Sequence, residues 1–268
     1  MKTVTAPPDL RLDEKKNRIF IILCGIFLTN AILAEMIGVK IFSGETTLGL
    51  QPAHLHILGF TMDFNLTAGA VIWPVVFITS DLINEYFGKP GVKRISYLSA
   101  VLIAYVFIVV FFSMKLPPAD FWMNTNNKDA AGNYFNMDFA FNKIFGQGNR
   151  IIIGSLSAFL LGQLVDVFAF HKLRQVTGNK MLWLRATGST LISQFIDSFV
   201  VLFIAFYGIF DNDQIVAIGI TNYIYKFVVA ILLTPLIYVG HYFIDQYLGK
   251  EYAHQLSEEA AKESDSFL

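Results

Sequence analysis

Six apolar stretches, each long enough to cross a lipid bilayer, leave this chain few ways to fold. An α-helix rises 1.5 Å per residue, so about 20 mostly apolar residues cross a hydrocarbon core of about 30 Å. The stretches run from Arg18 to Phe42, Leu66 to Phe87, Ile95 to Met114, Ile151 to Phe170, Ala186 to Phe210 and Ile215 to Phe243. In lipid the backbone must satisfy its own hydrogen bonds, and helices do so within each segment. The expected fold is therefore all-α, a polytopic membrane protein built as a six-transmembrane-helix bundle. Only 15% of the residues are charged, against roughly 25% in a soluble domain. Residues 1–17 read as a polar N-terminal segment, 18–248 as the membrane domain and 249–268 as a polar tail. The first apolar run exceeds the 7 to 15 residues of a cleavable signal and reads as a retained helix.

Positive charge near the span ends sets orientation. One set of ends carries Lys15, Lys16 and Arg18, then Lys89, Lys93 and Arg94, then Lys172, Arg174, Lys180 and Arg185, then Lys250. The opposite ends carry fewer cations, diluted by Asp120, Asp129, Asp138, Asp211 and Asp213. Both termini are expected in the cytoplasm. Short turns are expected on that side, at Gly88 to Arg94 and around Gly178-Asn179, with longer segments, Ser43 to Asn65 and Leu116 to Asn149, outside. The acidic tail from Leu256 onward reads as frayed.

Other functions lack a chemical basis in the residues. A net charge of -1 without a basic stripe argues against a nucleic-acid partner. The single cysteine, Cys24, cannot form an internal disulfide or thiolate cluster. No His-Glu-x-x-His, Gly-x-Ser-x-Gly or phosphate-binding glycine motif is present, so neither an enzyme nor a metal or cofactor site is expected. His241 and Asp245, four apart, read as hydrogen-bonded side chains rather than metal ligands.

Polar groups inside the spans are costly and mark a bundle interior or a cavity. In the second stretch Asp81, Asn84 and Glu85 share one helical face. Gln163 and Asp166 in the fourth stretch, and Gln194 and Asp197 in the fifth, place an amide and a carboxylate one turn apart, a short internal echo. Lys226 falls near the bilayer centre, with Asp197 as its expected partner. Asn30 and Glu35 add polarity to the first stretch, and Glu35 or Asp81 would be candidates for a proton site. These groups can lock helices together or line a cavity, and their spread over several helices favours the cavity. Carboxylate, amide and ammonium together suit a planar heterocycle with adjacent N–H groups and a carbonyl. Phe195, Phe199, Phe168 and Trp73 are candidates to stack on it, although each also fits ordinary packing.

Thr29-Asn30-Ala31-Ile32-Leu33, Ser80-Asp81-Leu82-Ile83-Asn84-Glu85-Tyr86-Phe87-Gly88, Gly162-Gln163-Leu164-Val165-Asp166, Ser189-Thr190-Leu191, Gln194-Phe195-Ile196-Asp197-Ser198 and Tyr223-Ile224-Tyr225-Lys226 together carry a resemblance. The chain resembles the queuosine precursor transporter family, also called the vitamin uptake transporter family. The resemblance implies a multi-pass protein of the bacterial inner membrane that imports 7-cyano-7-deazaguanine or 7-aminomethyl-7-deazaguanine for queuosine in transfer RNA. It implies Asn30, Asp81, Asn84, Glu85, Gln163, Asp166, Gln194, Asp197 and Lys226 as substrate-binding candidates. Ser198, where the family more often has Thr, and the long outer segments are departures. The alternative is the substrate-binding subunit of an energy-coupling-factor importer. Ala34 to Gly38, a small-xxx-small spacing, could dock a coupling subunit or a second copy.

Overall fold

The computed structural model describes residues 8–125, 127–146, 149–178 and 181–265. Asn179 and Lys180 of the expected turn, the first seven residues of the N-terminal segment and the last three of the tail lie outside the described residues. Helix α1 covers Pro8–Ile37. Strand β1 (Ile41–Ser43), helix α2 (Gly44–Thr47), strands β2 (Leu55–Ile57), β3 (Phe60–Met62) and β4 (Asn65–Thr67) and a 3-10 turn (Ala68–Val71) then lead into α3 (Trp73–Ser113). Short helices α4 (Asp120–Thr125) and α5 (Met137–Phe145) precede α6 (Asn149–Thr177), α7 (Leu182–Phe206), α8 (Asn212–Leu248) and α9 (Lys250–Asp265).

Among the described residues, five helical stretches are long and apolar enough to cross a membrane. The second, Trp73–Ser113, is 41 residues long. Unbroken, it would extend about 60 Å, twice a hydrocarbon core. It is broken at Gly88, where φ is 63° and ψ is -171°, a conformation open to glycine and to few other residues. Pro90 follows in the first turn of the second limb, where a missing N–H costs no helical bond. Ser80 of the first limb and Ser96 of the second both donate to Gln163 Oε1, at 3.1 and 3.4 Å. A straight helix would hold those serines about 24 Å apart, so the limbs fold back side by side.

The first apolar stretch ends sooner than its hydropathy suggests. Helix α1 stops at Ile37, and Ile41–Ser43 pairs antiparallel with Asn65–Thr67 instead of continuing the helix. A second hairpin pairs Leu55–Ile57 with Phe60–Met62. The 3-10 turn presses onto α1, since a Cβ on Gly69 would lie 2.4 Å from the Ala34 carbonyl oxygen. The small face at Ala34 is therefore covered by this chain's own backbone.

The tail departs furthest from expectation. Its described part is a helix, with Ala253, Leu256, Ser257 and Ala260 buried at spacings of three and four. The core joins Phe27 of α1, Ile83 and Ile95 of α3, Phe159 of α6 and Leu256 of α9. Outward-facing residues such as Val101, Phe112, Leu232 and Tyr242 stay exposed along the helices, a surface suited to lipid.

Candidate functional site

Between α3, α7 and α8 lies a cavity. Trp73, Phe77 and Asp81 reach it from α3, Thr187, Thr190 and Gln194 from α7, and Tyr225, Lys226, Ala230 and Ile237 from α8. Each set follows helical spacing: positions 73, 77 and 81 stack on one face, as do 187, 190 and 194. The Trp73 and Phe77 rings are stacked 5.8 Å apart at 19°. A smaller recess adjoins through Trp73, Phe77 and Gln194 and is also lined by Phe159, Gly162, Gln163 and Asp197.

The polar atoms of the cavity are poorly matched inside the protein. Asp81 Oδ1, Thr190 Oγ1 and Gln194 Oε1 are buried without a hydrogen-bond partner among the described residues. The Thr190 hydroxyl is close enough to act on the Asp81 carboxyl electrostatically but lacks hydrogen-bond geometry. Buried polar groups left unpaired cost about 1–3 kcal/mol each, so such a cluster marks a place where another molecule can supply partners. Lys226 Nζ donates to Asp197 Oδ2 at 2.5 Å, tying α8 to α7 at the cavity edge. The cavity thus presents a carboxylate, an amide, a hydroxyl and an ammonium beside aromatic rings.

A second polar cluster lies one turn further along α3. Glu85 accepts from Arg185 Nε at 3.0 Å and Nη2 at 2.7 Å, and from Ser257 Oγ at 2.7 Å. Arg174 Nη1 stands 3.6 Å from the same carboxylate, and Nη2 donates to the Ser257 carbonyl and hydroxyl oxygens at 2.7 Å. Beside them the Tyr86 hydroxyl donates to Asp245 Oδ1 at 2.6 Å and lies 2.7 Å from His241 Nδ1. These contacts join α3, α6, α7, α8 and α9 at one end of the bundle.

A family model described as "Putative vitamin uptake transporter" matches residues 67–240, a range that contains every residue lining the cavity. The chain belongs to the vitamin uptake transporter family. A protein named "Probable queuosine precursor transporter" from Bacillus subtilis (strain 168) is 29% identical over 192 residues, 70% of this chain and 78% of that protein. The "Queuosine precursor transporter" of Escherichia coli (strain K12) is 30% identical over 177 residues, 64% of this chain and 70% of its own length. A Haemophilus influenzae relative, also named "Probable queuosine precursor transporter", is 29% identical over 187 residues, 67% and 70% of the two chains. No solved structure matches the chain. Membership and the long apolar helices make this a multi-pass membrane transporter, not an enzyme.

Within this vitamin uptake transporter the expected residues divide into groups. Asp81, Gln194 and Lys226 line the main cavity, and Gln163, Gln194 and Asp197 the recess. Asn84 and Asp166 lie behind Asp81, with Asn84 Nδ2 3.5 Å from Asp166 Oδ2. Glu85 is held by Arg174, Arg185 and Ser257 and is not among the lining residues. Asn30 donates to the Ile26 carbonyl of its own helix at 2.8 Å, apart from the other candidates. Glu35 meets the Ser155 hydroxyl at 2.6 Å. Of the expected aromatics only Trp73 lines either space. Phe168 and Phe195 are 52% and 48% exposed, and Phe199 packs on Gly219, where a Cβ would lie 2.6 Å from its ring. Phe77, Thr190 and Tyr225 were not expected; Phe77 follows Trp73 by four residues, a spacing that places both on one face.

Proposed function

We propose that this chain imports a queuosine precursor, 7-cyano-7-deazaguanine or 7-aminomethyl-7-deazaguanine, across the bacterial inner membrane. The observation that carries this reading is the row of unpaired oxygens on Asp81, Thr190 and Gln194 beside Trp73, Phe77 and Tyr225. A guanine-type edge carries two adjacent N–H donors, which match the Asp81 carboxylate, while its carbonyl can accept from Lys226 or the Gln194 amide. The rings supply a flat wall on which a base can stack. The names of the three relatives support the same substrate class.

The transport unit is residues 18–248, crossing six times with both termini cytoplasmic and residues 249–268 beneath the bundle. The fold-back at Gly88 supports six crossings, since each limb of α3 then serves as one. The first limb rises about 22 Å, and the preceding 3-10 turn adds about 8 Å. Together they approach the hydrocarbon thickness. Lys15, Lys16, Lys89, Lys93, Arg94, Lys172 and Lys250 at one set of helix ends support the orientation.

The test is queuosine formation in transfer RNA of a bacterium that can neither make nor import the precursor, supplied with 7-cyano-7-deazaguanine. Expression of this chain alone restores queuosine. A well-expressed chain that fails to do so would refute a stand-alone importer of this base.

A further inference from the structure

Asp81 and Asp166 are both 3% exposed, and neither pairs with a cation among the described residues. Ser80 and Asn84, before and after Asp81 on α3, reach Gln163 and Asp166 of α6 at 3.1 and 3.5 Å, which puts the two carboxyls at one helix contact. The neighbouring charged groups are already engaged. On α3 and at the ends of α6 and α7, Glu85 is matched by Arg174 and Arg185. On α8, Lys226 is bound to Asp197 of α7, and His241 shares the Tyr86 hydroxyl with Asp245. On α1, Glu35 meets Ser155 of α6. Leaving two unpaired carboxylates ionised in such an interior costs several kcal/mol per ion.

Asn84, three residues after Asp81 on α3, offers an oxygen that calls for a donor. Asn84 is fully buried, its Nδ2 lies 3.5 Å from Asp166 Oδ2, and its Oδ1 has no partner among the described residues. Asp81 Oδ1 also has no partner among the described residues, while Asp166 Oδ1 accepts from Ser193 Oγ at 3.4 Å. A proton on either carboxyl removes one negative charge and adds an O–H donor, which Asp81 Oδ1 and Asn84 Oδ1 lack among the described residues.

We propose that Asp81 and Asp166, with Asn84 beside Asp166, hold one proton that travels with the substrate, making the carrier a proton symporter. The proposal rests on the import reading above. Asp81 lines the cavity, whereas Asp166 stands one helix behind it and does not. An N–H edge bound at Asp81 needs that carboxylate ionised, which leaves the shared proton on Asp166. The loaded carrier then holds substrate at Asp81 and the proton at Asp166 together. The proton adds to a carboxylate from the outer water and leaves the same carboxyl to the inner water, with no other bond made or broken.

The experiment uses the purified full-length chain in proteoliposomes with radiolabelled 7-cyano-7-deazaguanine. It compares counterflow without a gradient, net uptake under an inward pH gradient of one unit, and net uptake under an inward sodium gradient at equal pH. The readout is the steady-state ratio of inside to outside substrate, which depends on coupling rather than on rate. Wild type is expected to show counterflow and to concentrate substrate up to about tenfold under the pH gradient, one unit being worth a factor of ten. Asp166→Asn is expected to bring that ratio to one, and Asp166→Glu to restore part of it. Counterflow with a wild-type ratio of one under the pH gradient would overturn proton coupling and leave the import reading intact, and needs no variant. Accumulation driven by sodium instead, or an Asp166→Asn protein that still concentrates substrate, would also overturn it. Absence of wild-type counterflow would sink the import reading, and this proposal with it.

Discussion

Lys226 Nζ lies 2.5 Å from Asp197 Oδ2, and both side chains are about one quarter exposed, so this pair sits between a surface ion pair and a buried one. Surface pairs contribute about 0–1 kcal/mol, and breaking a fully buried one costs about 3–5 kcal/mol. Lys226→Met and Asp197→Asn are each expected to destabilise the protein by about 1–3 kcal/mol, between those limits. The double variant should recover much of that loss because no lone charge remains. Thermal unfolding in detergent measures the cycle. Additive losses would mean that the contact carries no coupling. Uptake should stay impaired in the double variant, since the ammonium facing the cavity is gone.

Glu85 presents a more demanding case, because two guanidiniums and the Ser257 hydroxyl converge on one buried carboxylate. Glu85→Gln removes the charge and strands the arginines, with an expected cost of about 3–5 kcal/mol. Ser257→Ala removes one donor to Glu85 and one acceptor for Arg174, at about 1–3 kcal/mol. Both changes should release α9, so limited proteolysis within Lys250–Asp265 should accelerate, more for Glu85→Gln than for Ser257→Ala. Unchanged cleavage would show that α9 is held by its apolar face alone.

That cluster marks where the sequence was legible and where it was not. The Asp197 to Lys226 pairing follows from two lone charges at matching depth in apolar helices, and the shared face of Asp81, Asn84 and Glu85 follows from spacing. The partners of Glu85 do not follow. Arg174 and Arg185 sit near helix ends, where a cation at the headgroups and a cation turned inward look alike in sequence; they are 5% and 2% exposed. In the tail, Ala253, Leu256 and Ala260 do show helical spacing, but the acidic residues between them dominate the composition. The pairing of Ile41–Ser43 with Asn65–Thr67 joins segments more than twenty residues apart, and hydropathy carries no sign of it. Glycine at position 69 is explained only by the Ala34 carbonyl it touches.

The hairpin region should respond to acid through Glu45. Burial raises the affinity of its carboxyl for a proton, but hydrogen bonds from the backbone N–H of Phe64 at 2.7 Å and of Ala53 at 3.3 Å, together with Ser43, outweigh it and hold the group below its ordinary value of 4.5. A depressed carboxyl stabilises the fold above its unfolded value, and that contribution is lost as pH falls through the folded value. Amide exchange at Ala53 and Phe64, corrected for intrinsic rates, should therefore become several-fold less protected between pH 6 and pH 3. Glu45→Gln should show the reduced protection at both pH values. Equal wild-type protection at pH 3 would mean that the carboxylate is not what orders this loop.

The cavity makes the sharpest separation between binding and packing. Gln194→Leu and Thr190→Val remove Gln194 Oε1 and Thr190 Oγ1, which have no hydrogen-bond partner among the described residues, so folding should be nearly unaffected while ligand contacts are lost. Each is expected to weaken binding of 7-cyano-7-deazaguanine by about 5–150-fold, the equivalent of about 1–3 kcal/mol. Trp73→Ala removes a stacking surface worth about 1–3 kcal/mol per base. Isothermal titration of the purified chain measures these losses, with Phe195→Leu as the control because that ring is half exposed and lines neither space. A loss at Phe195 equal to that at Gln194 would place the base elsewhere. Full affinity in both Gln194→Leu and Thr190→Val would show that the unpaired oxygens do not bind it.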